Sequence, residues 1–204
     1  MERKVNGSGP RSAETIVRTT LQAGLDLHTR VLAEQVPVIV RVAEAICAAL
    51  RAGGAVLLMG NGGSAATAQH IAAELVGRFL GDRPALPALA LNTDTAILTA
   101  IGNDLGFDQI FARQIAGLAR SNDIVVGISG SGNSVNVLNG LRAARSQGIK
   151  TVGFTGQGGG QLCDLSDYCF CVPSECASHI QEVHLAVGHV ICEIVEVELF
   201  HARV

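Results

Sequence analysis

Glu74 and His189 are the side chains of this sequence best suited to moving a proton on and off carbon. Burial and neighbours can tune glutamate and histidine toward neutrality, which proton transfer beside a carbonyl requires. Glu74 follows His70 by four positions in GNGGSAATAQHIAAEL (60–75), so the two share one face of a helix. His189 lies in SHIQEVHLAVGHVICEIVE, where Gln181, His184 and His189 are polar among apolar neighbours. A histidine in such a helix is ordinarily a hydrogen-bonded core or interface residue. Its company here, beside the ligand loops described next, favours a catalytic reading. His70, Glu74, Gln181 and His189 are also a donor set for zinc, which takes imidazole and carboxylate readily and an amide oxygen less well. The spacing is not HExxH, so it supports a metal only weakly.

Two glycine-serine loops supply anion cradles. The apolar run AVLLM (55–59) breaks into Gly60-Asn61-Gly62-Gly63-Ser64, and DIVVGIS (123–129) breaks into Gly130-Ser131-Gly132-Asn133-Ser134. A strand that turns through small residues into a helix presents free N–H groups and the positive end of the helix dipole. Ser129, Ser131 and Ser134 add hydroxyl donors short enough to reach a phosphate. The serine loop is neither a Walker lysine loop nor a dinucleotide GxGxxG, so no nucleotide is expected. No Lys or Arg stands within the serine loop. Arg78, after the helix carrying Glu74, is a candidate cation for the ligand or simply a helix C-terminal charge.

The elements that must position these residues alternate along the chain. Residues 1–11 read as a disordered, polar tail, and 12–204 as one domain. A long helix starts with Ser12 as cap, Pro37 marks a break, and a second helix runs to about Arg51. A strand at 55–59 and a helix to about Gly77 follow, then a short strand in ALPALALN ending at Asn92. Helical segments at 94–101 and 107–119 are separated by Gly102-Asn103-Asp104. Strand 123–129, helix 135–147, strands 150–156 and 167–172 and a last helix from about Ser178 to Phe200 complete the chain. Strands separated by helices specify an α/β fold with a parallel sheet, and ligands in such sheets sit beyond the carboxyl ends of the strands. Both glycine-serine loops fall at such ends, so they face one site.

The chain of 204 residues carries a net charge of −3, is 48% hydrophobic and only 3% aromatic, and has no basic run, which excludes a nucleic-acid surface. No stretch is long enough to span a bilayer and there is no signal-peptide core, so a cytoplasmic protein is expected. Of the cysteines Cys47, Cys163, Cys169, Cys171, Cys176 and Cys192, none forms a CxxC pair. They read as buried reduced thiols, with a metal or redox role the alternative. Cys169 and Cys171 alternate in DYCFCV and so share a strand face.

These motifs together resemble the sugar-isomerase (SIS) domain family, and most closely its phosphoheptose isomerases. The likeness runs from about residue 12 through GNGGS (60–64), AQHIAAELVGRF (68–79), RPALPALAL (83–91), GND (102–104), SGSGNS (129–134), FTGQGGG (154–160) and IQEVHLAVGH (180–189). The resemblance implies a single five-stranded, flavodoxin-like parallel sheet flanked by helices, with an N-terminal helical hairpin. It implies that Ser129, Gly130, Ser131, Asn133 and Ser134 hold a phosphate, and that Asn61, Gly62, Gly63, Ser64, Arg78, Asp104 and Gln181 hold an open-chain sugar. Glu74 and His189 would be the acid–base pair converting sedoheptulose 7-phosphate to D-glycero-D-manno-heptose 7-phosphate through an enediol. Members are homotetramers with sites between subunits, and some carry zinc on the residues matching His70, Glu74, Gln181 and His189. One departure stands out: the family's serine loop commonly reads STSGNS, and here Gly130 replaces the threonine. The alternatives are an isomerase of another sugar phosphate and a non-enzymatic relative that binds the bacterial replication initiator, with which SAATAQH and LNTD are shared. Those binders lack the residues matching Glu74 and His189, and their presence here favours an enzyme.

Overall fold

The computed structural model describes residues 11–200; the expected tail lies outside them except for Arg11, as do residues 201–204. Helix α1 (Ala13–Glu34) starts where Ser12 accepts a hydrogen bond from the Thr15 N–H at 3.1 Å. It buries only Leu27 and Val31, leaving Leu21, Leu25 and Leu32 exposed. Helix α2 (Val36–Arg51) begins at the proline rather than after it, because a first-turn residue needs no N–H donor and the fixed φ of Pro37 suits the helix.

The remaining elements are β1 (Val56–Gly60), α3 (Gly63–Val76), β2 (Ala88–Ala90), α4 (Thr95–Asp104), a 3-10 turn (Phe107–Gln109), α5 (Ile110–Leu118), β3 (Ile124–Ser129), α6 (Val135–Ser146), β4 (Lys150–Thr155), α7 (Gly160–Asp164), β5 (Tyr168–Cys171) and α8 (Ala177–Phe200). Two expectations need correction. Gly102-Asn103-Asp104 does not separate two helices: α4, capped by Asp94 on the Ile97 N–H at 2.9 Å, runs through it, and the chain turns at Gly106 with φ 100°. The glycine-rich stretch after β4 conceals the short helix α7, which carries Cys163 back to β5. There Cys163 and Cys169 form a disulfide, against the expectation of reduced thiols throughout. Cys47 and Cys192 are buried and unbonded; burial, the main cause, raises both thiols, Cys192 to about 12.

All five strands are parallel, in the order β2-β1-β3-β4-β5. Alternation decides the two cores. Val56 and Leu58 of β1 face α2, α3 and α8, whereas Leu57 and Met59 face α5 and α6. Strands β1 and β3 are buried along their whole length, as expected where helices cover both faces. From β1 the chain goes outward to β2, then returns to lay β3 on the other side of β1. That reversal opens a crevice between the loops leaving β1 and β3. No helix among the described residues is long and apolar enough to cross a membrane.

Candidate active site

The crevice holds a cavity of about 320 Å³ lined by Asn61, Ser64, Ser129, Gly130, Ser131, Ser134 and Gln181. Three helix N-termini meet there: Ser64 is in the first turn of α3, Ser134 precedes α6 and Ala177 opens α8. Ser134 does not cap α6; its Oγ lies 2.9 Å from that of Ser129, which in turn lies 3.4 Å from that of Ser131. These hydroxyls can turn their protons toward an anion, and the uncapped first turn adds N–H groups and dipole. Gly132 takes φ +66° against the Gly159 carbonyl, an approach that leaves no room for a Cβ. Asn133 faces away from the cavity: its Oδ1 accepts from the Gln161 N–H and its Nδ2 donates to the Ser131 carbonyl, so it braces the loop from behind.

Two asparagines that sequence reasoning passed over hold the first loop. Buried Asn136 exchanges hydrogen bonds with Asn61, Nδ2 to Oδ1 at 2.8 and 2.9 Å in the two directions. Asn92 donates to the carbonyl of Gly60 at the end of β1. The cavity wall also includes Glu175, another residue without a sequence signal, and no Lys or Arg. Its attraction for an anion therefore comes from hydroxyls and helix ends, against a nearby carboxylate.

His70, Glu74 and His189 come together between α3 and α8. The Nε2 atoms of His70 and His189 are 2.9 Å apart, and His70 Nε2 is 3.2 Å from Glu74 Oε1. The three donor atoms lie within 4.8 Å of one another, which suits a cation as well as a shared proton. Gly188 makes the meeting possible, since a Cβ there would sit 2.7 Å from Ile71 and push the helices apart. Phe79 stacks on the His189 ring, centroids 5.5 Å apart and planes 14° from parallel. Gln181, on α8, joins the two regions: it lines the cradle cavity and, with His70, a groove of about 420 Å³ along α3. Its amide rests where a Cβ of Gly63 would fall, while Gly62 at the helix cap is exposed and has open space beside it.

Other expected residues stand apart. Arg78, beyond the end of α3, pairs with Asp82 on the surface, and exposed Asp104 ends α4 with Asn103 donating to it at 2.7 Å. Neither lines either cavity. His184 is fully buried and hydrogen-bonded through Nε2 to the Thr155 carbonyl at 3.1 Å. Burial lowers its pKa to about 4 despite that carbonyl, so it is a neutral core histidine.

A buried ion pair fixes the end of α3. Glu196 on α8 accepts from Arg83 Nε at 2.9 Å and from the N–H groups of Phe79, Leu80 and Gly81. Arg83 in turn donates to the carbonyls of Leu75 and Glu74. Burial alone would raise the Glu196 carboxyl, but these donors outweigh it and lower it. The backbone of Glu74 is thus held by Arg83, a contact that the RPALPALAL motif did not disclose.

Residues 21–156 match the SIS domain. A phosphoheptose isomerase of Roseiflexus sp. (strain RS-1) is 55% identical over 180 residues, covering 88% of this chain and 91% of that protein. That of Aquifex aeolicus is 56% identical over 158 residues, 78% of this chain and 83% of that protein. Among solved structures, a phosphoheptose isomerase from Francisella tularensis superposes with a TM-score of 0.88 at 35% identity, covering 91% of this chain and 98% of that one. The enzyme from Neisseria gonorrhoeae gives 0.86 at 37% identity, covering 91% and 99%.

Proposed function

Because the chain belongs to the SIS-domain family, among its phosphoheptose isomerases, we propose that it interconverts sedoheptulose 7-phosphate and D-glycero-D-manno-heptose 7-phosphate. The observation that carries the site assignment is the pairing of a hydroxyl-lined anion cavity with a carboxylate–imidazole cluster, bridged by Gln181. The phosphate sits among Ser129, Ser131 and Ser134 at the start of α6. Asn61, Ser64 and Gln181 hold the hydroxyls of the extended sugar along the groove. Glu74 takes the proton from C1 of the ketose and returns it to C2, while His189 moves the proton from the C1 hydroxyl to the C2 oxygen. No atoms are gained or lost, and the enediol is the shared intermediate.

His70, Glu74 and His189 fit a metal, having imidazole and carboxylate donors within 4.8 Å of one another, with Gln181 beside His70 in the groove. Zinc held there would polarise the sugar oxygens as a Lewis acid. A homotetramer with sites between subunits is supported by the exposed leucines of α1 and by an apolar groove between α1, α2 and α8 lined by Val31, Leu32, Val36 and Val190. A neighbouring subunit would also supply the cation that the cradle wall lacks. The phosphorylated substrate, too polar to cross a bilayer unaided, places the reaction in the cytoplasm.

The test is a coupled assay on sedoheptulose 7-phosphate with and without chelator, beside Glu74→Gln and His189→Ala. Turnover lost in both variants supports the assignment. An inert wild type that still binds the sugar phosphate overturns the enzymatic reading and leaves a binding protein or another substrate.

A further inference from the structure

Behind the serine loop, Cys163 of α7 and Cys169 and Cys171 of β5 form a half-buried cluster that isomerisation does not use. Cys163 and Cys169 are bonded, yet Cys171 is drawn in beside them, its Sγ 3.2 Å from Cys163 Sγ and 3.7 Å from Cys169 Sγ. A third sulfur in that position suits either thiol–disulfide exchange or metal binding, and the distances separate the two. An attacking thiolate approaches along the extension of the S–S bond, where its distances to the two sulfurs differ by a whole bond, about 2 Å. Here the difference is only that between 3.2 and 3.7 Å, so Cys171 lies beside the bond and the three sulfurs make a triangle.

A triangle of sulfurs is one face of a tetrahedral metal site. Zinc–sulfur bonds of about 2.3 Å place ligand sulfurs about 3.8 Å apart, and the Cys169–Cys171 edge is already 3.7 Å. The scaffold is firm on two sides. Cys169 and Cys171 share one face of β5, in register with Gly153 and Thr155 of β4. Cys163 is held through its neighbour Leu162, whose N–H donates to the Gly132 carbonyl at 3.0 Å. Gly159 leaves the space: a Cβ there would lie 2.8 Å from Cys163 Sγ and 3.6 Å from Cys171 Sγ.

We propose that Cys163, Cys169 and Cys171, in their reduced form, are a three-thiolate site for a thiophilic d10 cation, Zn²⁺ or Cu⁺, with a fourth position open. A small dithiol supplies the two electrons and two protons that open the Cys163–Cys169 bond and is itself oxidised to a disulfide. Zn²⁺ then displaces one proton from each of the three thiols. Reducing compartments keep such pairs open, so the metal-binding form is the one such a compartment favours.

The experiment uses the full chain carrying His70→Ala and His189→Ala, so that the other donor cluster is silent. After anaerobic reduction with a phosphine, Co²⁺ and then Zn²⁺ are titrated in. The site takes one Co²⁺ per chain with a near-ultraviolet thiolate-to-cobalt charge-transfer band, which one equivalent of Zn²⁺ abolishes. Cys171→Ser weakens Zn²⁺ binding by about 30-fold or more, whereas Cys176→Ser, outside the cluster, leaves it unchanged. If Cys171→Ser does not fold, zinc-edge X-ray absorption on the parent protein decides, with three sulfur neighbours at about 2.3 Å expected. Six titratable thiols without a charge-transfer band overturn the proposal. So does a Cys163–Cys169 bond that survives the reductant in the native protein, which would make it a structural disulfide.

Discussion

The proposed phosphate cradle and the proposed proton-transfer cluster are made from the chain in opposite ways. The cradle comes from short consecutive runs at strand ends, with Ser64 and Ser129 buried and hydroxyls already bonded to one another. The cluster comes from single side chains on two helices, His70 and His189 being 119 positions apart, and His70 is exposed. Backbone and hydroxyls need only local turns to point correctly, so the cradle wall is set by this chain's own loops. Imidazole and carboxylate depend instead on how α3 and α8 cross. Binding and chemistry should therefore be separable by mutation.

The sharpest cut is Glu74→Gln. We expect kcat to fall by about 10³-fold or more with KM changed less than about threefold, measured by steady-state assay. A rise in KM instead would mean that Glu74 mainly binds. Next, Glu196→Ala removes one partner of the buried pair that anchors the end of α3. It should cost about 3–5 kcal/mol in urea unfolding and lower activity through the displaced Glu74, without touching the serine loop. Because this carboxyl is lowered in the fold, its contribution is complete above pH 4.5 and is lost as pH falls below that value.

A third effect lies in neither region. His184 titrates near 4 in the fold against 6.5 when free, so the unfolded chain binds the extra proton first. Stability should be unaffected above pH 6.5 and fall by about 3 kcal/mol between there and pH 4. Melting curves of His184→Gln should lack that decline. Ser129→Ala, on the cradle side, should raise KM about tenfold and leave kcat within about threefold; a collapse of kcat would erase the division between the two regions. The smallest change is Gly130→Thr. A Cβ at Gly130 meets only Ile180 Cγ2, at an ordinary 3.6 Å, so a side chain can start there, and the added hydroxyl should lower KM by up to about fivefold.

The loops of the proposed cradle were legible in the sequence because their geometry follows from local order: a strand, small residues, serines and then a helix specify where the N–H groups point. The sheet was legible for the same reason, from buried runs such as IVVGIS. Residues that act across the fold left no such mark. Asn92 and Asn136 look like ordinary turn and helix residues until the crevice brings them onto Gly60 and Asn61. The Arg83–Glu196 pair spans 113 positions, and neither residue carries a local pattern that requires it. GND misled for a related reason. Glycine, asparagine and aspartate usually end helices, yet α4 continues through them and turns at Gly106.

Helix α8 carries Gln181 to the cradle, His184 to the core, His189 to the cluster and Glu196 to the anchor of α3. Each contact uses a different face or height of one continuous helix. Removing or adding a single residue between Gln181 and Glu196 would turn everything beyond it by about 100° and shift it by about 1.5 Å. Several of these contacts would be undone together. This segment can therefore diverge by substitution but not by length, and insertions or deletions among descendants of the sequence should collect in stretches such as 120–122 and 147–148, where the chain turns on the surface.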